Sequence, residues 1–574
     1  GVIDVGGLLL TSADPVRDGA GNFINGAGSV TLGGATSSTS YIQVDPGALI
    51  QATPQNSYVA MVAPIIRQAG TVDVNGSAVF VGAEAATITF GGNGLFDIEV
   101  TTGTNGDAGA GNTAIDHSGI TGGPVSSGTG DNHRIYMVAV PKNNAITMAL
   151  SGGQLGFDVA GAVDVVGNSI ILSAGYNVLG DFINTIAPVN PAQQANLTIR
   201  NGAYTSALRA AASNNFLAQA AVGSLSFASN VDAFGVTRAE INAVDGSSSL
   251  TISGDLNLSA SNLASAFGIG VDAVAGIARL QAFNGGTVSI AGNAVVSADA
   301  EGGANLGSSG RVGSGVGGTA LVQSFNGGTL NIGGDLAISA NGVAGFTSNP
   351  GVAGANGTGG LAQLLANNGN ATINIGGDVT IQARGIGGNS FVAAAAGIGT
   401  GGTATLNGAT GANNLITING SVFLDTDGNG GNALLAGANG GAGIGGTSNL
   451  GSGTGAIVSI LGDASVSAFG LGGQSGVNGT GGAGQGGIAR AFTFGTGGSL
   501  RIGADLNVQA GANGGQALGA AGNGGAATGG MAQMFAPSGL IDVSGAAQLF
   551  AGGFGGAGAF AGNGTGGGAL VSGN

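Results

Sequence analysis

GGTLNIGGDLAISA, residues 327–340, alternates apolar and polar residues on both sides of a Gly-Gly-Asp step, the pattern of two short strands joined by a tight corner. The stretch returns. SSLTISGDLNLSA stands at 248–260, GGTVSIAGNAVVSA at 285–298, NATINIGGDVTIQA at 370–383 and GGSLRIGADLNVQA at 497–510. A catalytic motif occurs once in a domain, so a segment that recurs at even intervals builds a structure. Anchoring each copy on its second apolar residue gives Ile252, Ile290, Ile332, Ile375, Ile418, Ile460, Ile502 and Val543, with successive spacings of 38, 42, 43, 43, 42, 42 and 41. This is a repeat of about 42 residues, in eight copies between roughly 247 and 560, and periods of that size belong to solenoids, propellers and arrays.

Each repeat has three parts. A strand-like piece follows a Gly-Gly step, as in GIARLQAF at 276–283, GGTALVQSF at 317–325 and GGIARAFTF at 486–494; the corner pair comes next; a glycine-rich stretch of about twenty residues, such as NGVAGFTSNPGVAGANGTGG at 341–360, closes the unit. A propeller blade needs four strands and aromatic signatures, which this repeat lacks. Three short strands with sharp corners fit one coil of a right-handed parallel β-helix, stacked at the inter-strand spacing of about 4.8 Å. The fold class expected is therefore all-β. From each anchor, starting at Ile290, to the next first strand at Ala320, Ala362, Ala404, Ser448, Ala489 and Ala532 the count is 30, 30, 29, 30, 29 and 30. Loops tolerate insertions, so such constancy points to glycine-rich parts that stack in register. Three arrangements are open: polyproline-II-like rungs packed so closely that only glycine fits, a second coil per repeat, or a protruding loop.

Composition agrees with a stack of small and β-branched residues. The 574 residues hold 124 glycines, no tryptophan, no cysteine and 7% charged residues, yet 43% are apolar, too many for a disordered chain. The balance is acidic, 28 Asp and Glu against 12 Lys and Arg, with Lys142 the only lysine. That argues against nucleic acid and anionic membrane surfaces as partners. No apolar run reaches the roughly 18–20 residues of a spanning helix, so no transmembrane segment is expected. Absence of cysteine excludes disulfides, thiolate metal sites and cysteine nucleophiles, and suits a chain threaded unfolded through an outer-membrane pore.

Residues 1–246 keep the strand grammar without the strict period. SVTLGG at 29–34, ATITFGG at 86–92, LFDIEV at 95–100 and NLTIRNG at 196–202 read as further, less regular coils. GVIDVGGLLLTS at 1–12 has a Val-Gly-Gly turn before an apolar strand; YVAMVAPIIRQAGTVDVNGSAVFVGAEAATITF at 58–90 has a Tyr-Val-Ala-x-Val-Ala-Pro segment and a Gly-x-Val strand pair ending in Gly-Ala-Glu. Together they resemble the secretion domain of the filamentous-haemagglutinin-like exoproteins of two-partner secretion, and HRIYMVAVPKNNAITMALSGG at 133–153 resembles the region after it. The family's Asn-Pro-Asn-Gly-Ile signature is absent; the resemblance would place it just upstream of Gly1. The resemblance implies a right-handed β-helix, passage through a dedicated outer-membrane transporter, and a secreted fibre at the surface of a Gram-negative bacterium. Three parts are expected: 1–150 resembling that domain, 151–246 of irregular coils, and 247–574 of regular repeats with a partial ninth.

No constellation with recognisable chemistry emerges, so no catalytic, cofactor-binding or metal residue is assigned. The recurring corner acids Asp255, Asp335, Asp378, Asp463 and Asp505, interrupted by Asn293, Ser421 and Ala546, read as turn residues that cap nearby amides in preference to a cation- or sugar-binding ladder. DTDGNGGN, Asp425 to Asn432, opens like a calcium loop, with Asp425 and Asp427 as ligands, but its twelfth position is Ala436 where a bidentate acid is needed; an acidic surface turn is expected. His117 and His133 stand in glycine-rich, polar surroundings and read as solvated loop residues. Asp97 and Glu99 share a strand face and read as an exposed pair.

The function expected is a structural and adhesive extracellular fibre without an active site. Its partners would be the transporter, further copies docked end to end at open terminal coils, and glycans of a host or matrix. The alternatives are a carbohydrate-active β-helix enzyme, marked by a clustered acidic groove, and the stalk of a contact-dependent toxin carrier whose effector lies beyond Asn574.

Overall fold

The computed structural model describes residues 2–33, 38–91, 94–106, 112–124, 133–158, 168–263, 270–306, 310–409 and 411–573, so Gly1, Gly34, Gly92 and Asn574 of the segments above lie outside it. Among the described residues there is no α-helix, and long parallel sheets dominate. The fold is an all-β parallel solenoid. It divides into two compact units, Gly1–Asn257 and Leu258–Asn574.

In the second unit one repeat is one coil. Strand Thr319–Phe325 turns at Asn326-Gly327 into Thr329–Ile332, which turns at Gly333-Gly334-Asp335 into Leu336–Ser339. The next coil begins at Leu361–Asn367, directly paired with Thr319–Phe325. The first corner explains its Asn-Gly: φ is 50° at Asn326 and 77° at Gly327, the left-handed pair of a primed turn, closed by Gly328 N donating to Phe325 O at 3.0 Å. The anchors lie partner to partner, Ile290 to Ile332 to Ile375 to Ile418 to Ile460 to Ile502 to Val543. Each of the six isoleucines is at most 2% exposed, so they form one inward column and each contributes roughly 1.5–3 kcal/mol by burial. Ala320, Ala362, Ala404, Ser448, Ala489 and Ala532 form a second column in the opposite wall.

The glycine-rich part is an ordered double arm, neither a second coil nor an irregular loop. It leaves the coil at a two-residue strand such as Gly342–Val343 and returns at another such as Gly357–Thr358; both kinds stack in parallel over eight coils. The two limbs are stitched by one zigzag of glycine amides. Gly397 N donates to Gly388 O (2.8 Å), Gly431 N to Gly397 O (2.9 Å), Gly441 N to Gly431 O (2.9 Å), Gly473 N to Gly441 O and Gly482 N to Gly473 O (2.8 Å each), and the pattern continues to Gly562. A Cβ on Gly441 or Gly482 would sit 1.8 Å from a carbonyl oxygen of the coil before. Only glycine permits this approach, which is why the double arm needs so much of it.

The first unit carries parallel coils of the same kind, Leu49–Ala63 pairing with Thr71–Gly82, and Ile146–Ser151 with Ala195–Arg200. NLTIRNG lies there as expected. The other irregular coils do not: Ser29–Gly33, Ala85–Phe90 and Phe96–Thr102 form an antiparallel side sheet with Asp14–Val16, Val178–Leu179 and Phe182–Ile183. Alternation is common to both kinds of strand, so pattern alone does not separate them. Leu32, Ile88, Phe96 and Ile98 of this sheet share one buried cluster with Tyr136 of the coils and with Tyr176, and Phe96 N donates to the Tyr136 hydroxyl at 3.2 Å. Burial pushes that phenol up to about 12.

Candidate functional site

The corner acids form a ladder that runs between coils. Asp378 N donates to Asp335 Oδ1 (2.8 Å), Ser421 N to Asp378 Oδ1 (2.7 Å), Asp463 N to Ser421 Oγ (3.2 Å), Asp505 N to Asp463 Oδ1 (2.9 Å) and Ala546 N to Asp505 Oδ1 (2.8 Å). Below Asp335 the same place is held by Asn293, which accepts from Asp335 N at 2.8 Å; in the first unit Asn230 accepts from Asp255 N at 2.9 Å. Capping is therefore right, but the amide capped belongs to the next coil, not to the residue's own turn. Asn, Ser and Asp interchange because each supplies one oxygen acceptor. Asp378, Asp463 and Asp505 edge a groove of about 440 Å³ beside Thr380, Phe423 and Asn507.

A second ladder follows the third strand and contains one break. Ser261 Oγ accepts from Asp299 N (3.0 Å), Asp299 Oδ1 from Asn341 N (2.6 Å) and Asn341 Oδ1 from Arg384 N (2.8 Å). Arginine cannot accept, so the rung above it fails, and Asp427 N turns to Asp425 Oδ1 at 2.9 Å in its own coil. The Arg384 guanidinium reaches up to pair with Asp425 Oδ2. Asp427 then resumes the ladder, accepting from Phe469 N and Ser467 Oγ at 2.7 Å each. Asp425 is fully buried, which corrects the acidic surface turn expected there: its carboxylate mends the stack. Burial, aided by the Asp425 charge, lifts Asp427 to about 6. Among the described residues no three His, Asp or Glu side chains cluster as a metal site would require.

Both histidines are buried, correcting the solvated-loop reading. His117 ends strand Thr113–His117, is fully enclosed, and places Nε2 2.9 Å from Thr121 Oγ1. Burial holds it well below the ordinary range, at about 3, so it is neutral and structural. His133 sets Nε2 2.9 Å from Asn75 Oδ1 and packs edge-on to Phe157. Asp97 spends Oδ1 on Gly180 N at 2.8 Å, while Glu99 is exposed on the same strand of the side sheet. The structure brings none of these together.

A groove that sequence reasoning did not single out lies on the outgoing limb of the arm. Two outward columns flank it: Glu301, Val343, Ile386 and Asn429, paired rung to rung, and Phe346, Asn389 and Asn432 one step further along the limb. Between them the floor is bare backbone at Gly302, Gly345, Gly387, Gly388 and Gly430, and the groove encloses about 450 Å³. The signal was present as a recurring x-Gly-Gly-x step, Glu301–Ala304, Ile386–Asn389, Asn429–Asn432 and Leu471–Gln474. Two side chains three residues apart with nothing between them make a channel once the repeats stack. Asn389 Oδ1 accepts from Asn432 N and Asn432 Oδ1 from Gln474 N, at 2.8 Å each, which fixes both amide groups and leaves their nitrogens for a further partner. Asn429 Oδ1 is buried without a donor.

No family model, curated protein or solved structure matches this chain.

Proposed function

We propose that this chain is a structural and adhesive fibre protein of a Gram-negative cell surface, exported by an outer-membrane transporter in the manner of the filamentous-haemagglutinin-like exoproteins that residues 1–12, 58–90 and 133–153 resemble. The observation that carries this reading is the repetition of surface along the stack. Successive coils place the same outward positions one above another at about 4.8 Å, so each column presents a row of equivalent contacts, the form a multivalent adhesive surface takes. The polar ladders are consumed in joining coil to coil, which supports a mechanical role over a reaction centre. The absence of cysteine from all 574 residues suits export of an unfolded chain.

Negative-stain microscopy of the purified chain, with protease shaving of intact producing cells, tests the reading. Elongated particles and a surface-accessible chain are expected. A compact particle that turns over polysaccharide, or a chain protected from protease until cells are lysed, would overturn it.

A further inference from the structure

The groove on the outgoing limb has a composition that its structural role does not require. The corner and strand-end ladders are consumed in joining coil to coil, whereas this channel exposes Phe346 at 39% beside two amide nitrogens and an acceptor with no donor. We propose that it is a binding site for a neutral sugar ring of a glycan, an inference that rests on the adhesive reading above and locates where contact is made.

Four features select that ligand class. Phe346 offers an aromatic face to the C–H side of a pyranose, standing edge-on to Phe391 with ring centroids 5.7 Å apart. Asn389 and Asn432, held by their Oδ1 bonds to the next coils, present Nδ2 donors at one-coil spacing. On the opposite bank Asn429 Oδ1 lacks the hydrogen bond that a buried acceptor needs, a deficit that a ligand hydroxyl would relieve once the amide turns toward the groove. An aromatic face and donors on one bank, an acceptor on the other and a floor of bare backbone between them match a molecule of hydroxyls on a carbon ring, and the volume of about 450 Å³ falls within the range of small-molecule sites.

The alternatives fit less well. A peptide strand would need free backbone groups to pair with, but the floor is committed: Gly387 N donates to Asn429 O at 2.8 Å and Gly388 N to Ala355 O at 2.9 Å. The lining carries a single charge, Glu301, at one end, which opposes sulfated, sialylated or uronic-acid sugars and is too little to recruit a polycation.

The stack itself supplies clean variants. Leu471 holds the place of Asn429 one coil on and Ala304 holds that of Phe346 one coil back, so Asn429→Leu and Phe346→Ala are substitutions the neighbouring coils already accept. Titration of the full chain with maltoheptaose, cellohexaose and chitohexaose, followed by saturation-transfer NMR, should find binding by at least one, with sialyllactose and a heparin fragment weaker. Phe346→Ala and Asn429→Leu should each lower that affinity at least about tenfold, or 1.4 kcal/mol, while Phe346→Trp retains it. Asn429→Leu should melt no lower than the parent chain, since it removes an unsatisfied acceptor. Failure of every neutral probe to bind, preference for the anionic probes, or binding unchanged in both variants would overturn the proposal. Fibres that bind no sugar would remove this site and leave the fibre reading standing; sugar binding by a compact, non-fibrous particle would do the reverse.

Discussion

At the scale of single residues, what the chain asks of a side chain depends on whether it faces the column or the seam. Ile375 is 1% exposed between Ile332 and Ile418, so Ile375→Asp would leave a carboxylate buried without a partner and should cost more than about 3 kcal/mol, read as a lower urea midpoint of the second unit. An unchanged midpoint would mean the column is not a load on stability. Asp378 makes the opposite demand. Its Oδ1 holds Ser421 N, so Asp378→Ala should cost about 1 kcal/mol, whereas Asp378→Asn should be close to neutral because Asn293 already fills that place two coils below. Equal losses in both variants would show that charge, not the acceptor, matters. The isoleucine column was legible in the sequence because a fixed apolar position every 42 residues or so has one interpretation. The burial of His117 was not: Thr121 and Gly119 beside it look the same whether the strand is covered or bare.

At the scale of elements, the pairing of Arg384 with Asp425 exposes a rule of the stack. Wherever the position after the third strand holds an acceptor, the next coil's amide is met; where it holds arginine, the strand-end residue above becomes an aspartate and supplies the oxygen instead. Equivalent strand ends carry Ser297, Ser339, Gln382, Ser467 and Gln509. Arg384→Asn alone should leave Asp425 buried without its cation and cost about 3 kcal/mol or more, and Asp425→Ser alone should leave Asp427 N short of its acceptor beside a partly solvated guanidinium and cost about 1 kcal/mol or more. The double variant Arg384→Asn/Asp425→Ser restores the ordinary rung and should recover most of the loss, a coupling measurable in a double-mutant cycle. Additive losses would refute the rule. The sequence shows both residues but not their relation, since they stand 41 residues apart and meet only because the coils stack. The side sheet of the first unit escaped for a related reason: partners such as Thr31 and Thr87 are far apart in the chain and no period marks them.

At the scale of the whole molecule, the two units carry titratable groups whose pKa values are shifted in opposite directions, and acid should separate them. His117 belongs to the first unit. Its folded value near 3 lies below the ordinary 6.5, so the unfolded chain binds the proton more readily, and stability present above pH 6.5 is lost as the pH falls toward 3. The slope is about 1.4 kcal/mol per pH unit from this one group, or about 2 kcal/mol between pH 7 and pH 5. Asp427 belongs to the second unit, and its folded value near 6 lies above the ordinary 3.8. Here the folded chain binds the proton more readily, so stability rises as the pH falls through 6 and levels off below 3.8, a gain of about 1 kcal/mol by pH 5. Hydrogen exchange followed by mass spectrometry reports each unit through its own peptides. Between pH 7 and pH 5, after correction for intrinsic exchange, protection should fall in peptides spanning Thr113–His117 and hold or rise in those spanning Val422–Asp425. His117→Gln should flatten the first response whatever it costs at neutral pH, and Asp427→Asn, which places the residue of Asn341 in the same ladder, should flatten the second. Parallel responses in the two units, or slopes untouched by these substitutions, would show that other groups set the acid stability of this solenoid.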